Sequence, residues 1–368
     1  MLYVGGSHAI GVANRLSDLD LFLICDRDIN VHAAFDNVVY VGKDDLAIDL
    51  EWWRRDSIES RLIASNQAFA AATVEPRRAL SFNDRDLEFL HRLAAGIPLS
   101  NPEGHRQLSS KVNLSELAFI AFARAYVIAG NEQQDMAGFL GAGEYEAALA
   151  AMRRLVDAAV GSVLAALRVP TARPKWQPVF VHRLAQAGWD TDLPGGPLPK
   201  PLALTLARFY RAAAEDATAI RALTREAALL AHRLIAFAQE KIVGALGSSV
   251  GDEFFFRIPD RPTRSLADRI KPVVDSALGP SCAALAPDIR LHFEAGKWRL
   301  ASYSKQEAIE VPALTAEALW HFNGQTPVAV VAAHLQRFCT DSVAELSQNL
   351  VSLGNYLTIC GFTDRYLG

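Results

Sequence analysis

The stretch Val4 to Asp20, VGGSHAIGVANRLSDLD, constrains the fold more than any other part of the chain. The apolar run Leu2-Tyr3-Val4 meets a Gly5-Gly6-Ser7 turn, and Asp18-Leu19-Asp20 opens a second apolar run, Leu21-Phe22-Leu23-Ile24. Residues i and i+2 of a strand point to one face, so Asp18 and Asp20 are expected to project together. Two carboxylates that close repel, and one takes up a proton unless a cation sits between them. Mg²⁺ suits such a site, because carboxylates and substrate phosphates hold it together. The glycines let backbone approach a ligand closely, and the Ser7 hydroxyl can donate to a phosphate oxygen.

A third acid comes from Leu46-Ala47-Ile48-Asp49-Leu50-Glu51-Trp52, which alternates. Leu46, Ile48 and Leu50 fall on one face and Ala47, Asp49 and Glu51 on the other, which predicts a half-buried strand presenting two acids. A neighbouring strand placement brings Asp49 beside Asp18 and Asp20. Glu51 shares the face and stands as an alternative ligand, a base for an acceptor, or a solvated bystander.

This constellation resembles the polymerase-β-like nucleotidyltransferase superfamily. The pattern there is Gly-Ser, a spacer, Asp-x-Asp, and a later acid flanked by apolar residues on a strand. The matching residues are Gly6-Ser7, Asp18-Leu19-Asp20 and Ile48-Asp49-Leu50. The resemblance implies two-metal catalysis, with Asp18, Asp20 and Asp49 holding Mg²⁺ on a nucleoside triphosphate while an acceptor attacks the α-phosphate and pyrophosphate leaves. It favours Asp49 over Glu51 as the third acid. ATP is taken as the nucleotide on abundance alone. The plain alternative is an Asp-rich turn before an ordinary edge strand, and a third is a decayed enzyme that keeps the pattern without turnover.

At 368 residues, 51% of them hydrophobic, the chain is long enough for two or three domains with real cores. No apolar run reaches bilayer-spanning length, and the N-terminus lacks the basic n-region of a secretory signal, so a cytoplasmic protein without a membrane partner is expected. A net charge of −4 argues against a nucleic-acid partner. The four cysteines, Cys25, Cys282, Cys339 and Cys360, are widely spaced and read as reduced core thiols. The nine histidines form no HExxH-like cluster, and His8 beside the Gly-Ser turn reads as a helix-entry residue and not a catalyst.

Three domains and a connector are expected within an α+β fold. Residues 1–100 read as a small mixed-sheet catalytic domain, with strands at 2–5, 18–25, 37–41 and 46–53. Its helices are Ser7–Asn14, with the N-terminus toward phosphate, then Asp56–Gln67 and Asp84–Ala95. The segment 96–105, GIPLSNPEGH, reads as a boundary. Residues 105–246 read as an Ala- and Leu-rich helical bundle. Within it, Arg173-Pro174-Lys175-Trp176 follows a long helix, an arrangement similar to the second domain of aminoglycoside-type nucleotidyltransferases. That similarity implies Lys175 as a point charge for the triphosphate, with Arg173 and Arg183 weaker candidates. A solvated lysine beside a core tryptophan is the competing reading. Residues 252–284 read as a connector, with Phe254-Phe255-Phe256 buried and Arg261-Pro262-Thr263-Arg264 turning outward.

From 285 to 368 the pattern changes to three strands and three helices, a winged-helix build. A hairpin turns at Glu294-Ala295-Gly296, a third strand spans Glu307–Val311, and helices are expected at Thr315–Phe322, Thr326–Phe338 and Val343–Cys360. The order resembles PqqD-like domains, which bind leader peptides in ribosomal-peptide maturation. The residues that carry this likeness are Leu285-Ala286-Pro287, Ala318-Leu319-Trp320, Asn323-Gly324-Gln325-Thr326 and the run Leu350 to Phe362. The resemblance implies that a leader or precursor peptide adds as a strand along Glu307, Ala308, Ile309, Glu310 and Val311, and packs on the last helix through Leu346 and Leu350. A winged helix used only for packing is the bland alternative. DNA is disfavoured because Ser342 to Asn349 carries no Lys or Arg.

These expectations combine into a Mg²⁺-dependent nucleotidyltransferase acting on a precursor peptide. An inert peptide escort is the alternative, as is a transferase for a small amino or hydroxyl compound whose last domain is structural.

Overall fold

The strand pattern builds two sheets. The first has five strands in the order β3-β4-β2-β1-β5: β1 (Leu2–Val4), β2 (Leu19–Cys25), β3 (Val38–Lys43), β4 (Leu46–Arg54) and β5 (Ile97–Ser100). β2 and β4 run parallel and every other pair in this sheet is antiparallel. A computed structural model describes residues 1–27, 38–43, 46–169, 174–186, 193–195, 198, 200–213, 216–246, 263–265, 281–294, 297–302, 304–305 and 307–363. The fold is α+β. It divides into two compact units, one of Met1–Arg124, Leu164–Phe180 and Lys241–Gly247, the other of Ala125–Val163, Val181–Glu240 and Ser248–Gly368.

In the first unit the sheet is followed by α2 (Arg55–Val74) and α3 (Asp84–Ala95), with the single turn α1 (Gly6–Ala9) after β1 and α4 (Pro102–Ser109) after β5. Asn83 caps α3 by accepting from the Asp86 N–H, and Asp84 and Asp86 sit in its first turn, where the helix dipole favours acids. The aromatic core lies on the acid-bearing face of the sheet. Phe22 and Ile24 continue the alternation of Asp20, and Trp53 continues that of Asp49 and Glu51. Tyr3 stacks on Phe22 with centroids 5.1 Å apart, and Phe89 of α3 meets Trp53 at 4.7 Å. The opposite face, with Leu19, Leu21, Leu23, Ile48 and Leu50, is only half-buried. The acids therefore share their face with the core, instead of lying across the sheet from it.

Two local expectations change. The helix expected over Ser7–Asn14 is one turn long, because the Ser7 carbonyl accepts from both Val12 and Ala13 (2.9 and 3.1 Å) and Gly11 turns the chain at φ 70°. The boundary expected at 96–105 is instead β5 and α4. Pro98 stands opposite Tyr3, and an edge strand tolerates a proline because one side of its backbone is unpaired.

The long helices α5 (Leu114–Ala142), α6 (Tyr145–Ala166) and α9 (Ala217–Leu246) have residues in both units, so the stretch 105–246 is not a unit by itself. The shorter α7 (Gln177–Gln186) and α8 (Leu202–Arg211) lie between α6 and α9 in the chain. Among the described residues no single helix is long and apolar enough to cross a membrane. The free thiol of Cys282 is buried, and Cys25, Cys339 and Cys360 are partly buried.

The second unit carries the four-stranded sheet β6-β9-β8-β7, made of β6 (Thr263–Ser265), β7 (Ile289–Glu294), β8 (Lys297–Ser302) and β9 (Glu307–Val311). It also holds α10 (Ala313–Leu319), α11 (Val328–Leu335) and α12 (Val343–Ile359). Ile289, Leu300, Ile309, Leu319, Trp320, Leu346, Leu350 and Leu357 share one core there with Leu229 of α9. Helical side chains finish the β7 edge: Gln133 donates to the Pro287 and Ile289 carbonyls (both 2.9 Å) and Gln239 to that of Phe293 (2.9 Å). The winged-helix region expected at 285–368 thus shares a core and hydrogen bonds with helices expected to form another domain. α10 starts after Pro312, not at Thr315, and α11 after Pro327, because each proline sets the extended entry to its helix. α12 opens on a capping box between Ser342 and Glu345, and Gly361 turns the chain after it at φ 69°. Thr263 and Arg264, expected to turn outward, belong to β6. Arg173, Phe254 to Phe256 and the turn Ala295-Gly296 lie outside the described residues.

Candidate active site

Strand register assembles the acids. β2 and β4 align so that Asp20 faces Asp49 and Phe22 faces Glu51. Asp18 stands just before β2, and carboxylate oxygens of Asp18, Asp20 and Asp49 all lie within 4.8 Å of one another. Burial pushes the Asp49 carboxyl up to about 6, reinforced by the charge of Asp18, a hydrogen bond with it, and the charge of Asp20. Such crowding fits an oxygen-seeking dication, which relieves the repulsion that otherwise keeps a proton on the cluster.

The Gly-Ser turn closes the other side. Gly5 N–H donates to the Asp20 carbonyl at 2.9 Å, fastening the turn to β2. Gly6 adopts φ 58°, and a Cβ built there would lie 1.7 Å from Asp20 Oδ2. Only a glycine lets this backbone lie against the carboxylate. Ser7 is buried, and its Oγ has no hydrogen-bond partner among the described residues although it lines the same cleft. A buried hydroxyl without a partner is unusual enough to mark a place where a ligand acceptor fits.

The cleft has a volume of about 510 Å³ and is walled by Ser7, Asp18, Asp20, Asp49, Glu51 and Arg92, among others. That is the size of small-molecule sites in general. Lys175 and Trp176 also border it, set there by a 3₁₀ turn, Pro174–Trp176, with Lys175 Nζ 5.0 Å from the Trp176 ring. Lys175 thus stands on the cleft. His8 is exposed and is not part of the cleft wall.

Glu51 takes a different part from the three aspartates. Its carboxylate lies 3.7 Å from both Arg92 and Arg85. Burial raises its carboxyl above the ordinary range, and those two arginines act against the rise. The acid cluster therefore consists of Asp18, Asp20 and Asp49, and Glu51 stands in the neighbouring ion-pair group.

Arg92 and Tyr40 are cleft residues that the sequence does not single out. Arg92 Nη1 stands 4.0 Å from Asp20, and Nη2 bonds Glu88 at 2.6 Å. The only sequence signal for it is Glu88 one helical turn earlier. Tyr40 pairs in register with Asp49 across β3 and β4, so strand alternation could have placed it beside the acids. Its ring is largely exposed and borders the cleft.

The expected peptide-binding residues stand in the second unit. β9 pairs antiparallel with β8 on one side and parallel with β6 on the other, with Thr263 opposite Ala308 and Ser265 opposite Glu310. The edge expected to receive a peptide is therefore occupied by this chain's own β6. Ala308, Ile309 and Val311 are buried, while Glu307 and Glu310 are partly exposed, Glu310 pairing with Lys297 at 3.0 Å. Leu346 and Leu350 are only 3% and 4% exposed. They point into the core of the domain and offer no surface to a peptide, a correction to the expectation.

No protein-family model matches the chain, and a search of curated proteins finds no match either.

Proposed function

We propose that the first unit is a Mg²⁺-dependent nucleotidyltransferase that moves a nucleotide from a nucleoside triphosphate, taken as ATP on abundance alone, to an acceptor. The observation that carries this reading is the convergence of Asp18, Asp20 and Asp49 on one cleft beside the unpartnered Ser7 hydroxyl. Asp18, Asp20 and Asp49 would hold Mg²⁺, which supplies charge neutralisation for the phosphates. Ser7 donates to a phosphate oxygen, and Gly6 leaves room for that approach. Lys175 adds a point charge at the rim, suited to the outer phosphates. Tyr40 and Trp176 border the same cleft and are apt for the flat face of a base. An acceptor oxygen or nitrogen forms a bond to the α-phosphorus, and the bond from that phosphorus to the bridging oxygen of pyrophosphate breaks.

Two acceptors remain in play, and each has support. A precursor peptide follows from the likeness of the C-terminal region to leader-binding domains. The occupied β9 edge and the buried Leu346 and Leu350 instead favour a small amino or hydroxyl compound, with that region structural. The test is transfer of label from α-labelled triphosphates, run separately with ribosomal precursor peptides and with small amines and alcohols. Label on any acceptor, with release of pyrophosphate, supports the reading. No transfer to any acceptor and no triphosphate affinity would leave the inert escort.

A further inference from the structure

A second group of ligand-type side chains lies within the C-terminal fold. Glu317 is on α10 and His321 follows one helical turn later, its N–H still bonded to the Ala318 carbonyl at 3.0 Å. His334 comes from the last turn of α11. One ligand atom from each of the three lies within 4.8 Å of the others. His334 Nε2 contacts Glu317 Oε1 at 2.7 Å, and the two imidazole rings stand edge to face with centroids 5.0 Å apart. His321 Nε2 is buried and has no hydrogen-bond partner among the described residues. Leaving such an atom bare costs free energy.

The surroundings orient the carboxylate. The Gly195 N–H donates to Glu317 Oε1 at 3.0 Å. Gly195 reaches that position at φ 79°, so close to Trp320 that an added Cβ would stand 2.7 Å from the Trp320 Cβ. A backbone donor fixing a ligating carboxylate is the usual second layer of a metal centre. Arg233 is a cation whose charge bears on both Glu317 and His321, and its Nε donates to the Pro194 carbonyl at 2.6 Å.

We propose that Glu317, His321 and His334 bind one transition-metal dication of the zinc class, at a site separate from the aspartate cluster. Two imidazoles and one carboxylate suit Zn²⁺ and related first-row ions, whereas an all-oxygen set suits Mg²⁺. Three protein ligands leave a fourth position for water. The metal would pin α10 to α11 and to the turn at Gly195, replacing the bare His321 nitrogen with a bond.

The test uses the full chain stripped of metal, with excess Mg²⁺ present to occupy the aspartates. Zn²⁺ is expected to bind at one equivalent and raise the melting temperature. Co²⁺ is expected to give the visible d–d absorption of a four-coordinate ion without a thiolate charge-transfer band. The double variant His321→Ala/His334→Ala loses both responses, and Asp18→Asn/Asp20→Asn keeps both. A wild type that shows no Co²⁺ band, or the same Zn²⁺ response as the histidine variant, overturns the site. So does loss of the response in the aspartate variant. If the histidine variant does not fold, Glu317→Gln serves in its place, with Zn²⁺ affinity expected to fall at least about tenfold.

Discussion

Arg92 Nη1 stands 3.7 Å from Glu51 Oε2, joining a helix residue to a strand residue at the wall of the acid cleft. The Arg92 side chain is 14% exposed, and its guanidinium also pairs with Glu88 at 2.6 Å. Removing it leaves several acids facing one another in a partly buried place. Arg92→Leu is therefore expected to destabilise the protein by about 3 kcal/mol, since an unmatched buried charge costs more than the pair contributes. Urea unfolding measures this. A loss below about 0.5 kcal/mol, the level of surface substitutions, would mean that Arg92 is a surface ion-pair residue.

Gly6→Ala tests the fit of the turn. Its Cβ would overlap Asp20 Oδ2 and would have to hold φ 58°. The left-handed conformation alone costs about 1 kcal/mol in an alanine. The overlap pushes Asp20 off the cluster, so triphosphate affinity is expected to drop far more than the melting temperature. Equal affinity of variant and wild type in calorimetry would show that the turn does not bear on the site.

Leu350→Ala separates packing from recognition. Leu350 lies in the core of the C-terminal region, and truncation there is expected to cost about 2–5 kcal/mol. Denaturant midpoints report it. A stable variant with weakened peptide binding would instead restore Leu350 as a contact residue.

His91 sets an acid limit. Burial pulls its imidazole down to about 4, with Glu88 acting weakly the other way. The folded state then holds the ring neutral, whereas the unfolded chain protonates near 6.5. This contribution is complete above about pH 6.5 and is lost as pH falls toward 4, by up to about 3 kcal/mol. His91→Leu removes the group. Over that pH range the variant is expected to lose less stability than the wild type in urea titrations. Parallel pH curves would contradict the assignment.

The acid site was legible because its signals are local. Asp18 and Asp20 are two residues apart, Asp49 lies in an alternating strand, and Gly6-Ser7 carries its own turn chemistry. The parts that escaped depend on distant partners. Nothing near Arg92 in the sequence announces Glu51, which arrives from another element. β6 is three residues that become a strand only by pairing with β9. β5 was hidden by Pro98, a residue that argues against a strand except at an edge. The core lies on the face of Phe22 and Trp53 and not on that of the β2 leucines, because the aromatic side chains are the ones the helices cover. The C-terminal strands and helices were visible in order, but their docking through Gln133 and Gln239 rests on contacts that no periodicity encodes.

The central claim is that Asp18, Asp20 and Asp49 make a live metal-dependent triphosphate site. Calorimetric titration of each nucleoside triphosphate into wild type and Asp18→Asn/Asp20→Asn, with and without Mg²⁺, tests it most directly. One triphosphate is expected to bind the wild type only with Mg²⁺. The folded variant is expected to bind that triphosphate at least about 100-fold more weakly, because the principal electrostatic ligands are removed. A well-folded wild type that binds no triphosphate, or a variant that binds as tightly as the wild type, would contradict the claim.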